Sequence, residues 1–243
     1  MRNIFKFDTV NSTNDLLLKW AENISTPNGS IIWALGQHKG RGQHGRVWES
    51  NTGENLMFSM LIRHEGMSVM EQFIFNKAIS VAILKSLHVL SPNFKIKWPN
   101  DIYLNGKKIA GILIENSIKG KYIDYSVIGI GVNVNQRKFS KELENASSLI
   151  NETGIEVELE NLLYQIVDHI EFFVNYIHRK KCRKILKIYL ANLYRKDTIS
   201  VFKKDGKKFN GIIRGIDEFG RIKIELENEE VVLFNNGEIK MMI

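Results

Sequence analysis

The chain has 243 residues, 44% of them hydrophobic and 25% charged, an ordinary globular composition with room for one large domain or a large one plus a small one. Three prolines and a single cysteine, Cys182, exclude a Pro-rich linker and an intrachain disulfide, and no stretch approaches the roughly 18 apolar residues of a membrane span. The net charge of +7 is spread over many lysines, with its densest run in "HRKKCRK" at 178–184, so a solvated face near a helix end is expected there.

The N-terminal "MRNIFKFDTVNST" carries charge but no long apolar core, so no signal peptide is read and a cytoplasmic protein is expected. Residues 4–7 alternate as a short strand, and "NSTNDLLLKWAEN" sets capping residues before a helical run. "SIIWALG" at 30–36 and "NLMFSMLI" at 55–62 read as buried strands on either side of a loop at 37–54. Residues 70–90 suit a long, largely buried helix. Next, "FKIKWPND", "IYLNGKKIAGILIEN" and "YIDYSVIGIGVNVN" predict a strand, a hairpin turning at Asn105-Gly106, and a third long strand. Residues 136–158 are polar and poorly periodic, and 159–193 are helical again.

The texture changes after residue 195. Short alternating segments separated by Asp-Gly, Phe-Gly and Asn-Gly turns predict a small barrel of about five strands. The expected organisation is therefore residues 1–195 as one domain and 196–243 as a second, with Phe202, Phe209, Phe219 and Phe234 forming the core of the second.

Four stretches carry possible chemistry. In "GRGQHGRVW" at 40–48, Gly40, Gly42 and Gly45 let the chain approach a ligand, Arg41 and Arg46 offer planar forks for carboxylate or phosphate, and Trp48 offers a ring to stack. The stretch lacks the Gly-Lys-Ser/Thr end of a Walker motif and the glycine spacing of a dinucleotide fingerprint. "KWPND" at 97–101 reads on composition as a strand end broken by Pro99, with Asn100 and Asp101 making a turn. In "GKKIAGILIE" at 106–115, Lys108 reads first as a solvated strand-edge residue. Gly129 and Gly131 in "IGIGVNVN" suggest a close backbone approach, with Asn133 and Asn135 at the strand's end.

Taken in order, "STND" at 12–15, Gln37, "GRGQHGRVW", "KWPNDIYLNGKKIAGILIE" and "IGIGVNVN" together resemble the biotin–protein ligase family, over about residues 8–135, and the C-terminal segment continues the resemblance. The resemblance implies an α+β fold: a mixed β-sheet flanked by helices, like that of class II aminoacyl-tRNA synthetases, followed by a small SH3-like barrel. It implies activation of biotin with ATP and Mg²⁺ to biotinyl-5′-AMP, then transfer to a lysine of a biotin carboxyl carrier domain. By the same resemblance, Ser12, Thr13, Gln37, Gly40, Arg41, Lys108, Gly111 and Gly129 bind biotin. Arg46, Trp48, Lys108 and Asn133 bind ATP, and Lys108, Arg41 and Asp101 act in catalysis, with no protein metal ligand expected.

The sequence departs from the commonest loop pattern at Gln43, where a third arginine is usual, so no arginine's role is carried onto it. Many bacterial members begin with a DNA-binding domain. Here the motifs start by residue 12, so a short form with no DNA partner is expected, as monomer or homodimer. The rival readings are a lipoate or octanoate ligase or transferase of the same fold, and an RNA-binding module using the basic C-terminal barrel. The second lacks an aromatic platform for base stacking.

Overall fold

The computed structural model describes residues 2–143, 145–178 and 182–242. The centre of the basic run at 178–184, residues 179–181, lies outside them. The chain divides into two compact units, Met1–Gln72 with Lys107–Val167, and Phe73–Gly106 with Asp168–Ile243. Among the described residues the strands form two sheets, one of seven strands and one of five, so the class is α+β as expected.

In the first unit, β1 (Ile4–Val10) runs parallel to β2 (Ile31–Gln37), and α1 (Thr13–Ala21) connects them. Ser12 caps α1: its backbone is extended and its hydroxyl accepts from Asp15 N at 3.3 Å, while Asp15 adds negative charge to the first turn. β3 (Leu56–Arg63) pairs antiparallel with β2, and β7 (Tyr122–Val132) pairs antiparallel with both β3 and β6 (Lys107–Lys119). β3 is buried from Leu56 to Ile62, which explains why its sequence is a continuous apolar run broken only by Ser59. The inner face of α1 closes over this sheet through Leu17 and Ala21, which join Ile32, Leu61 and Val127 in one fully enclosed cluster.

A five-residue helix, α3 (Leu149–Thr153), lies inside the polar, poorly periodic stretch at 136–158. Five residues are too few to display a 3.6-residue period. Its boundaries are nonetheless ordinary: Ser148 accepts from Asn151 N at 3.3 Å, and Gly154 takes the left-handed conformation at φ 73°.

In the second unit, α2 (Gln72–Leu87) follows a 3₁₀ turn at Val69–Glu71 and is buried over most of its length, as expected. β4 (Lys95–Lys97) and β5 (Asp101–Leu104) pair antiparallel, so Asp101 opens a strand rather than sitting in a turn. The turn after β5 is formed by Asn105 and Gly106, both at positive φ, as a tight hairpin requires. α4 (Leu159–His178) belongs to the first unit up to Val167 and to the second from Asp168, and α5 (Cys182–Ala191) follows in the second. The C-terminal sheet runs β11-β10-β9-β8-β12, from β8 (Ile199–Lys204), β9 (Lys207–Ile216), β10 (Ile222–Glu225), β11 (Val231–Phe234) and β12 (Lys240–Met241), all antiparallel.

Phe202 and Phe234 are buried in this sheet, and Phe209 stands 5.5 Å from the first ring and 5.9 Å from the second. Phe219 corrects the expected core: it is 39% exposed, in the turn before β10, with the Arg221 guanidinium 5.6 Å from its ring. The turn itself is fixed within the unit. Trp98 Nε1 donates to Gly220 O at 2.9 Å, and a Cβ at Gly220 would fall 2.3 Å from the Phe73 ring.

Candidate functional site

The glycine-rich segment is folded on itself. Trp48 N donates to Gly40 O at 2.9 Å and Gly42 N to Arg46 O at 2.7 Å, around a 3₁₀ turn at Gln43–Gly45. Glycine is required at position 40, because a Cβ there would lie 2.5 Å from the Trp48 carbonyl oxygen.

The Trp48 ring rests on the sheet where β6 and β7 present Gly111 and Gly131, which face each other in register. A Cβ would lie 2.9 Å from the ring at Gly111 and 2.4 Å from it at Gly131, so the two glycines make a flat window that only a bare backbone provides. Lys108 Nζ stands 5.6 Å from the centroid of the same ring. The Trp48 Nε1 hydrogen is buried and has no hydrogen-bond partner among the described residues. Lys108 is held by its backbone: its N donates to Asn145 O at 2.6 Å and its O accepts from Ser147 N at 3.1 Å.

Beside this window lies a buried polar network. Gln37 Oε1 accepts from Thr13 N at 2.8 Å and from Thr13 Oγ1 at 3.2 Å. Ser59 Oγ has one proton for two acceptors, Thr13 Oγ1 at 2.8 Å and Asn14 Oδ1 at 2.5 Å. Asn14 Nδ2 donates to Glu115 Oε2 at 2.9 Å. The space a Cβ at Gly129 would take is filled by the Asn14 carboxamide, 2.2 Å away. Arg41 reaches this network from the loop. Its Nη2 pairs with Glu115 Oε1 at 2.7 Å, its Nη1 donates to Glu115 Oε2 at 3.2 Å, and Nη1 also pairs with Asp15. The Glu115 hydrogen bond is the main reason the guanidinium is held even more firmly protonated than usual.

The first unit therefore brings Ser12, Thr13, Gln37, Gly40, Arg41, Trp48, Lys108, Gly111 and Gly129 into two adjoining features, the network and the window. Arg46 is exposed on the same segment. Asn133 is buried, with Nδ2 donating to Ser147 O at 2.9 Å. Asn135 likewise clamps backbone, at Val157. Asp101 belongs to the second unit. Sequence reasoning passed over Asn14, Asp15, Ser59 and Glu115. The signal for Ser59 was its lone hydroxyl in an apolar strand, and a buried polar group must find partners.

The family model for the biotin/lipoate A/B protein ligase family matches residues 6–133, more than half of the chain and the whole of this arrangement up to Asn133. The chain belongs to this family. A second model, of the biotin protein ligase C-terminal domain, matches residues 201–242, the five-stranded sheet. Within the family, the bifunctional ligase/repressor BirA of Bacillus spizizenii is 32% identical over 164 residues, covering 66% of this chain and 50% of that protein. The chain spans about half the length of the Bacillus relatives it matches. A biotin–[acetyl-CoA-carboxylase] ligase of Paracoccus denitrificans is 29% identical over 219 residues, 87% of this chain and 89% of the relative. The family likeness extends to three dimensions. A biotin protein ligase from Aquifex aeolicus, solved in complex with biotin and ATP, superposes with a TM-score of 0.82 at 26% identity, over 100% of this chain and 99% of that one.

Proposed function

We propose that the protein is a biotin–protein ligase, which activates biotin with ATP to biotinyl-5′-AMP and then transfers biotin to a lysine of a biotin carboxyl carrier domain. The observation that carries this reading is the meeting of Lys108 and Trp48 at the Gly111/Gly131 window with the adjoining network of Thr13, Gln37 and Glu115, to which Arg41 is paired. The family membership and the likeness to a ligase solved with biotin and ATP support it.

The chemistry explains why these groups are needed. The first step brings a carboxylate against a triphosphate, and charge crowds at the α-phosphorus in the transition state. Fixed cations in a water-poor site offset both effects. Arg41 and Lys108 are assigned to the carboxylate and the α-phosphate, and Arg46 to the triphosphate. Trp48 stacks on the purine, and Asn133 binds the adenosine with what its amide retains beyond Ser147 O. Thr13, Gln37 and Ser12 serve the neutral ureido ring, with backbone at Gly40, Gly111 and Gly129 beside it. Closure of the 40–48 segment would shield the mixed anhydride from water.

Mg²⁺ is assigned to the phosphates of ATP rather than to a protein cage. Mg²⁺ binds nucleotides chiefly through phosphate oxygens and water. When bound it would offset phosphate charge. Asp101 is assigned to the second step, where a carboxylate orients the incoming ammonium and helps remove its proton. Residues 196–243 are assigned to the small C-terminal domain, and the protein to the cytoplasm. Among the described residues no helix is long and apolar enough to cross a membrane.

The lipoate reading shares the catalytic fold, but the C-terminal match at 201–242 is to biotin protein ligases and favours biotin. Incubation with labelled biotin, MgATP and a carrier domain, followed by mass analysis, tests the proposal. Pyrophosphate release and a biotinylated carrier are expected; acylation with lipoate but not biotin would overturn it.

A further inference from the structure

Glu115 is fixed from beneath before any ligand arrives. Its Oε2 accepts from Asn14 Nδ2 at 2.9 Å, and Asn14, only 3% exposed, is in turn held by Ser59. Arg41 comes to this carboxylate from the glycine-rich segment with both terminal nitrogens, at 2.7 and 3.2 Å, while Asp15 takes a further Nη1 hydrogen. A guanidinium offers one end-on fork to a carboxylate. With Glu115 in that fork and Asp15 beside it, an incoming carboxylate would meet two like charges.

We propose that Glu115 is a positioning residue: with Asp15 it holds Arg41 by the two-point pairing a substrate carboxylate would make, and the substrate binds by exchanging carboxylates on Arg41. The identity of the substrate rests on the ligase reading; the pin on the segment does not. Exchange keeps Arg41 paired throughout, so ordering the segment leaves no bare cation. It also joins two events, since the substrate that takes Arg41 releases the segment from its hold on β6 and α1.

Glu115→Gln keeps the size and removes the charge. Its test reads amide hydrogen exchange over residues 40–48 in ligand-free protein, and biotin affinity by calorimetry without ATP. Both are measured in the wild type, in Glu115→Gln, in Arg41→Ala and in the double variant. Exchange in Glu115→Gln is expected to be about tenfold faster, as for loss of a charge-assisted pair. Biotin is expected to bind that variant several-fold more tightly. In the Arg41→Ala background both effects should vanish. Unchanged exchange, or weaker biotin binding, overturns the proposal. So does tightening that persists without Arg41, which would be a field effect of the lost charge. Asp15→Asn, at the surface of α1, repeats the test if Glu115→Gln fails to fold. If no form binds biotin while exchange still responds through Arg41, the ligase reading fails. Valerate titrated against the same amides then decides the exchange step, and failure to loosen segment 40–48 overturns it.

Discussion

Lys108 illustrates how a residue's meaning depends on what stands over it. By sequence it flanks an apolar strand, the usual place for a solvated edge lysine. In the structure it is half-buried, its backbone bonded to Asn145 and Ser147 and its ammonium facing the Trp48 ring. On the proposed ligase reading, Lys108→Ala is expected to lower the rate of adenylate formation by at least about 10²-fold, in the range of a lost transition-state donor. The thermal midpoint should move little; pyrophosphate release and a melting curve on the same preparation check both. The window beneath Trp48 gives a second prediction. Gly131→Ala puts a Cβ 2.4 Å from the indole, and the ring, borne by a loop, yields before the sheet does. Stability should fall by no more than the roughly 1–3 kcal/mol of core overpacking. Trp48 emission should shift to the red, and the shift should be absent from the Gly131→Ala, Trp48→Phe double variant.

At the scale of elements, most of the order of strands and helices was legible. Periodicity and turn chemistry located the strands at 31–37 and 56–63, the hairpin at Asn105-Gly106, the helix at 72–87 and the C-terminal strands. The exceptions were elements too short to carry a period, α3 and the two-residue β12, and Phe219, which lies exposed in the turn before β10 rather than in the core. Lys77 was equally invisible. It lies in the apolar sequence of α2 and is 7% exposed. Burial pulls its pKa below the usual 10.5, with Asp217 acting in the opposite direction. The unfolded chain therefore binds more protons than the fold between the depressed value and 10.5, and stability rises with pH across that window. Below it the full penalty of burying the ammonium applies. Lys77→Met should accordingly stabilise the protein at pH 7 by on the order of 1 kcal/mol. The gain should shrink as pH climbs towards 10.5, which chemical denaturation at several pH values measures directly.

At the scale of the whole molecule, the net charge of +7 bears on association rather than on the fold. On the proposed ligase reading, an acidic carrier domain would be drawn by it, so the apparent KM for such a carrier should rise several-fold between low salt and ionic strengths above about 0.15 M, where the screening length is about 8 Å. A flat salt profile would assign the surplus to composition alone.

The sequence by itself determined most of the succession of elements, the glycines where the backbone turns or is bared, and the resemblance of the motifs. These are local properties, written in periodicity, turn residues and spacing. Only the tertiary structure decided that Asn14, Ser59 and Glu115 form one network, that Arg41 is held by Glu115 and Asp15, and that Trp48 covers the Gly111/Gly131 window. Arg41 and Glu115 are 74 positions apart in the chain. No local pattern links them, because their meeting depends on the pairing of β6 with β7 and on the folding back of the 40–48 segment.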